Sequence, residues 1–350
     1  MRALAALLLA VLLVLVLAAV MPAPIDPVAW TPDPDPGLTG PYTPNDRLAA
    51  VQRLIEGVGT GPEDVACGPD STYYTGFADG RIVRFRASGE YDEIANTGGR
   101  PLGMQLDAAG RLIVADGVRG LLAVTDDGNV DVLADTVNGQ KIVFADDLDI
   151  AEDGTIWFSD AASRHGYKHS MYNFFEGRPS GSLLSYDPAN GATRVHLTDL
   201  FFANGVALGP RDEYVLVNET HTGRITRLWL KGEKAGQRDL FKSQLPGTPD
   251  NLSFNGRDTF WVANPGLRAG VDALADQPVV RKILSRLPYA TLSNMGPRFS
   301  LVIALDLDGE VREILHDPDA GFASITSVNE CDGELLLGSL HETAVARLPH

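Results

Sequence analysis

From residue 63 to the C-terminus, apolar and polar residues alternate in short runs, and Gly, Asn and Asp break the runs at regular intervals. Alternation with a period of two marks half-buried strands, and the breakers mark turns. The stretches "LGMQLDAAGRLIVAD", "DDLDIAEDGTIWFSD", "NGVALGPRDEYVLVNE", "DNLSFNGRDTFWVAN" and "ITSVNECDGELLLGS" share one plan. Each opens on a polar or glycine residue, runs through a strand and a tight turn, and returns as a second strand. A third strand tends to follow, as in "GRIVRFRASG" and "GSLLSYDPANG". Units begin near residues 63, 103, 147, 204, 250 and 326, so they are separated by 40, 44, 57, 46 and 76 residues. Repeats of roughly 40–50 residues with four strands each define a β-propeller. Six starts predict an all-β, six-bladed β-propeller.

The longer intervals mark short helical insertions, at about 163–180 and 268–296. The second carries Val279, Val280, Ile283, Leu284 and Leu287 in a helix-prone stretch. It fits a cap over the channel, a membrane-facing surface or a loop packed on a blade edge.

Upstream of the repeats the pattern changes twice. Arg2 is followed by an uncharged apolar run of 18 residues, Ala3 to Val20. As a helix it would be about 27 Å long, close to the thickness of a bilayer core. The following "AAVMPAP" is a poor cleavage site, which favours an uncleaved signal-anchor over a signal peptide. Either way residues 1–21 direct the remainder out of the cytoplasm. Residues 22–44 contain eight prolines and are expected to form an extended, semi-rigid linker holding the body off the membrane. In "NDRLAAVQRLIEGVG", Asn45 or Asp46 offers an N-cap and Leu48, Val51, Leu54, Ile55 and Val58 share one helical face. A short amphipathic helix is expected there, opening a propeller body over residues 45–350.

The formal net charge of −17 argues against binding nucleic acid or the anionic face of a membrane. Cys67 and Cys331 are too few for a metal cluster and have no CxxC spacing. They fall in the first and last units, which a ring would bring near each other; two separate buried thiols are expected rather than a bridge.

Polar residues recur where the inner strands begin. Glu63, Asp146 or Asp147, Asn204 and Asp250 with Asn251 occupy equivalent positions, and in a propeller equivalent positions converge on the central channel. Facing carboxylates repel unless a cation intervenes. An oxygen-only donor set without His or Cys suits Ca²⁺ better than Zn²⁺. Taken singly, each of these residues fits a turn-capping role equally well.

The run "EGRPSGSLLSYDPANG…LFFANGVALGP…LPGTPDNLSFNG" resembles the strictosidine synthase-like branch of the calcium-dependent propeller hydrolases. That branch includes the adipocyte plasma membrane-associated proteins, with the paraoxonases and SMP-30/gluconolactonase proteins as wider relatives. The motifs "RPSGSLL", "FANGVAL" and "PDN" carry the resemblance, which covers residues 60–348. It implies Glu63, Asn204 and Asp250 as core calcium ligands, with Asn251 and Asp146 at further ligand positions. Relatives commonly carry Asn at the position of Asp146. It also implies a possible second, structural calcium held by Asp64 and Asp147, with the Met104 carbonyl as partner. Two departures stand out. Ala323 and Ile325 occupy the His and catalytic Glu positions of true strictosidine synthases, and Leu102 occupies that of the paraoxonase histidine. Alkaloid-forming condensation is therefore not expected.

The expected activity is calcium-dependent hydrolysis of a small-molecule lactone or ester, with Asp250 or Glu63 as general base. The alternative is a non-enzymatic, membrane-anchored propeller that binds a partner and uses calcium as a brace. Glu219 is expected to pair with Arg224 or Arg227, and His165, His169 and His221 to be surface histidines in loops. Trp157 and Trp261 are expected in the core. No GxSxG elbow, Walker loop or GxGxxG motif is present, so serine-hydrolase, nucleotide and dinucleotide chemistry lack support.

Overall fold

A computed structural model describes residues 21–293 and 295–349. The signal-anchor expected over residues 1–21 lies outside the described residues except for Met21. Among the described residues, no helix is long and apolar enough to cross a membrane.

Six four-stranded antiparallel sheets surround a central channel. Their inner strands are Val65–Cys67, Pro101–Leu106, Ala145–Ile150, Ala203–Leu208, Leu252–Phe254 and Ile325–Cys331. Each inner strand packs beside the next around the ring, and the sixth returns to the first. The blades, numbered 1–6 in chain order, confirm the expected count and the expected unit starts.

The second strand of a blade reads as a continuous apolar run, for example "LIVA" in blade 2 and "FWVA" in blade 5, because both of its faces are buried. Phe260 and Val262 point into the gap shared with blade 4, whereas Trp261 and Ala263 point into the gap shared with blade 6. Every gap between neighbouring blades has its own core in this way. Trp157 and Trp261 lie in those cores as expected.

Two closures join the ends of the ring, and both correct the sequence reading. The stretch expected to be an amphipathic helix is a single 3₁₀ turn, Arg47–Ala50, followed by a strand, Gln52–Leu54. That strand pairs with Val345–Pro349 and becomes the outer strand of blade 6. The apolar positions are buried as read: Leu48 lies between blades 5 and 6, and Leu54 and Ile55 between blades 6 and 1. The exposed backbone edge of the last strand dictates strand rather than helix, since it offers hydrogen bonds that an unpaired edge would waste.

The second closure is a disulfide. Cys67 and Cys331 end adjacent inner strands with Cα atoms 5.7 Å apart and are bonded to each other, contrary to the expectation of two separate thiols. Sequence spacing alone cannot show that two Cβ vectors face each other. The bridge spans 264 residues, and a loop of that length is worth about 5 kcal/mol in the chain-entropy account. Reduction, or the double variant Cys67→Ser/Cys331→Ser, should therefore lower the urea midpoint without changing the activity of the folded fraction; denaturation with and without dithiothreitol measures it.

The two insertions link the second and third strands of blades 3 and 5, which puts them at the end of the channel where the inner strands begin. The first holds helix α1, Met171–Glu176. The second holds α2, Ala269–Asp272, α3, Pro278–Leu284, and α4, Tyr289–Leu292. The proline-rich segment has no regular structure before the 3₁₀ turn Gly40–Tyr42, and it does not stand off as a free spacer. It runs across both insertions: the Val28 and Trp30 amides donate to the Glu176 and Ala275 carbonyls. Ile25 packs between Phe175 and Leu292, and the Arg281 guanidinium lies 4.5 Å from the Trp30 ring.

Candidate metal centre at the channel mouth

Four of the six inner strands begin with a register shift against their neighbours. The shifts fall at Pro101/Met104, Ala145/Leu148, Ala203/Val206 and Ile325/Ser327. A bulge adds a residue and re-aims side chains that strict alternation would send to opposite faces. The adjacent pair Asp146–Asp147 sits in one such shift, and Asn204–Gly205 in another. Blade 5 reaches the same end differently, because Asp250 and Asn251 immediately precede the short strand Leu252–Phe254.

Two glycines make this close approach feasible. A Cβ on Gly205 would lie 2.4 Å from the Asp250 carbonyl oxygen, and one on Gly103 would lie 2.4 Å from Asp147 Oδ1. Gly205→Ala should consequently separate blades 4 and 5 at the mouth, lowering the melting temperature and weakening metal binding, which calorimetry of the variant checks.

Glu63, Asp146, Asn204, Asp250 and Asn251 are all buried. The Asn204 amide donates to Asp250 Oδ1, and the Asn251 amide lies 3.3 Å from both Glu63 carboxylate oxygens. Backbone bonds fix the frame. The Asn251 amide nitrogen donates to the Thr326 carbonyl, Thr326 Oγ1 donates to the Glu63 carbonyl, and the Asp250 carbonyl accepts from Gly205 N and Asn218 Nδ2. Glu63, Asn204 and Asp250 therefore meet at one place, drawn from blades 1, 4 and 5.

Burial and mutual repulsion decide the protonation of this group. Burial raises the Glu63 pKa well above its usual range, and Asp250, Asp146 and Asp64 raise it further. Asp146 is pushed well up by burial, then by Asp250 and Asp147. Burial pushes Asp250 up to about 7 against the opposing Asn204 hydrogen bond. Among the described residues, no three acidic, His or Cys side chains form a ready-made metal cluster; the two amides stand between the carboxylates. The donor set nevertheless fits a hard cation. Every side chain in it offers oxygen, and Asn204 Oδ1 and Asn251 Oδ1 are buried acceptors without a donor, which such an ion would satisfy.

Asp64 and Asp147 lie one step deeper and are already engaged. Asp64 accepts from Val65 N, Met104 N and Asn329 Nδ2, so Met104 reaches it through its amide rather than its carbonyl. Asp147 accepts from Leu148 N, Val206 N and Leu252 N. These carboxylates thus tie blades 1 to 2 and 6, and blade 3 to 4 and 5. Burial still raises both pKa values, and Asp64 raises that of Asp147. They floor a cavity of about 270 Å³ that reaches the opposite mouth.

One residue at the centre is not legible from the repeats. Arg100 is 1% exposed; its Nη1 donates to the Gly61 carbonyl at 2.8 Å, while Nε and Nη2 are buried without acceptors. Its charge lowers the pKa values of Glu63 and Asp146. It is the ring's counter-charge, and its only sequence signal is "GRPLG" at the start of blade 2.

The remaining candidates take other places. Glu219 makes a bidentate pair with Arg224, as expected, and also accepts from Thr226 and Phe201 N. His165 lies against Glu176, and His169 stacks on Tyr172. His221 is buried against Trp30, and burial, reinforced by Arg281, pushes its pKa down to about 3. Leu102 packs with Phe144 and Phe202, and Ala323 and Ile325 are buried, so none of these positions supplies a base.

The propeller fold is shared with solved structures. The solved structure of a gluconolactonase from Xanthomonas campestris superposes with a TM-score of 0.63 at 19% identity, covering 94% of this chain and 99% of that one. The calcium-binding protein regucalcin from Agrobacterium tumefaciens gives 0.57 at 15% identity, covering 85% and 92%. Two family models match, strictosidine synthase over residues 146–233 and the strictosidine synthase-like N-terminal region over residues 40–85. The chain is 34% identical over 351 residues to the adipocyte plasma membrane-associated protein of Rattus norvegicus, covering 93% of each. It is 33% identical over 317 residues to strictosidine synthase-like protein 6 of Arabidopsis thaliana, covering 87% of this chain and 83% of that one. The chain belongs to the strictosidine synthase-like family.

Proposed function

We propose that this protein is a calcium-dependent hydrolase of a lactone or ester, exported and held at the membrane by its N-terminal segment. The observation that carries the reading is the meeting of Glu63, Asn204 and Asp250 from three blades at one mouth, with Asp146 and Asn251 beside them. These five side chains would hold the ion. Calcium, when bound, supplies polarisation of the substrate carbonyl and charge for the developing oxyanion. Asp250, buried at the mouth, takes a proton from the attacking water. Glu63, oriented by Asn251, is the second carboxylate available for that proton. Arg100 keeps the acidic group from repelling itself apart while leaving two donors free.

Names among similar proteins point the same way: a gluconolactonase, a luciferin-regenerating enzyme and a calcium-binding regucalcin share the fold. The buried apolar residues Leu102, Ala323 and Ile325 favour a second reading, in which calcium braces a binding module that catalyses nothing. Turnover of phenyl acetate and of a lactone panel, with calcium and after chelation, separates the two. Chelator-sensitive hydrolysis is expected; a chelator-sensitive melting temperature without turnover of any substrate sinks the enzyme reading.

A further inference from the structure

Nine large hydrophobic residues are exposed among the described residues, and five of them gather in one region. Val279 and Val280, 55% and 39% exposed, stand on α3; Leu287 and Met295, 40% and 55% exposed, flank α4; Met21 is 52% exposed. Others are scattered over the outer blades, such as Tyr91 on blade 1, Val132 on blade 2 and Leu240 on blade 4. Clustered apolar exposure marks an interaction surface, whereas single exposed residues need no explanation.

The same region departs from the charge of the whole. In a chain of net charge −17, residues 277–298 contain no Asp or Glu; Lys282 and Arg286 reach the surface there, whereas Arg281 is buried beneath Trp30 and Arg298 pairs with Glu342. Exposed apolar side chains beside Lys282 and Arg286 are what the boundary between lipid headgroups and acyl chains accommodates. The position of the chain's entry strengthens the case. The apolar run Ala3–Val20 joins the body at Met21, whose carbonyl accepts from Arg286 Nη2 at 2.8 Å. Ile25, four residues on, is clamped between Phe175 of α1 and Leu292 of α4. A membrane-embedded run would therefore leave the bilayer directly at Arg286, just beyond the end of α3, with no length of free linker between them.

We propose that α3, α4 and Met21 form a membrane-docking face that lies in the headgroup–acyl boundary, so that the channel mouth carrying Glu63, Asn204 and Asp250 faces the bilayer. The face chooses between the cap and membrane-surface readings of the second insertion by making it serve as both. It also selects substrates: molecules partitioned into the lipid reach the mouth ahead of polar solutes from the aqueous side. The docking face stands on exposure, charge and chain entry, and does not depend on the calcium site being catalytic.

Spin labelling of the full chain in lipid nanodiscs tests it. The two native cysteines are bonded to each other, so Val279→Cys, Leu287→Cys and Met295→Cys each introduce a unique thiol, with Val132→Cys as the reference. Nanodiscs of phosphatidylcholine, with and without phosphatidylserine, distinguish apolar insertion from attraction to anionic headgroups. Labels at 279, 287 and 295 are expected to be several-fold more accessible to oxygen, and less to a nickel chelate, than the reference label. Equal accessibility at all four sites overturns the proposal, as does a chain that leaves the nanodisc. Labels at 279, 287 and 295 shielded from both reagents would mean that a protein surface or a second copy covers the patch, which also overturns it.

Discussion

Asp250→Ala is expected to abolish calcium binding and hydrolysis together, with turnover falling by a factor of at least about 100, the scale of losing a positioned base or a charge-stabilising group. The Asp250 side chain holds the Asn204 amide and faces Glu63 and Asp146 across the mouth. Its removal takes one anionic donor from the set and frees Asn204. Isothermal titration with calcium and turnover at saturating calcium read the two losses separately. Asp250→Asn sharpens the test, because it keeps the shape and removes the charge. A variant that binds calcium as before yet has lost turnover would assign Asp250 to proton transfer alone. One that keeps full activity would remove Asp250 from the mechanism.

The second large effect is on stability. Asp250 has a folded pKa of about 7, and burial holds Asp149 and Asp160 at about 6, all above the ordinary carboxylate value. The metal-free fold therefore binds protons more tightly than the unfolded chain. The stability this contributes is complete below about pH 4 and is lost as pH rises towards 7. Asp250 alone, raised by about three units, would contribute on the order of 4 kcal/mol across that range. In chelator, the melting temperature should fall by on the order of 5–10 °C between pH 5 and pH 8. Saturating calcium should remove most of this slope, because the ion favours the ionised ring and binds the folded state alone. Differential scanning calorimetry at several pH values, with calcium and with chelator, gives both curves. A metal-free protein that grows more stable from pH 5 to pH 8 would show that burial does not raise these carboxyl pKa values in the fold.

The propeller was legible because its repeat lies in the sequence itself: alternating strands, turn residues and a polar start recur six times. The ring followed from position, since residues at equivalent starts must converge on one axis. What the repeats did not reveal belongs to contacts between distant segments. Gln52–Leu54 has helical spacing in its surroundings, yet an open sheet edge claims it. Cys67 and Cys331 could be placed in adjoining units, but not with their side chains facing. Arg100 belongs to no repeated position, so only the coordinates show it beside the acids. In the proline-rich segment, a string of prolines does not reveal the carbonyls and rings against which it lies.

The way the ring closes has a bearing on how the protein is made. Gln52–Leu54 leaves the ribosome long before its partner Val345–Pro349. Blade 6 cannot be completed during synthesis, and the early strand must wait with its backbone unpaired, a slow and non-local step. A product ending before residue 331 would leave that strand without a partner and Cys67 as a free thiol. A single reactive sulfur would thus mark a chain whose ring is not closed.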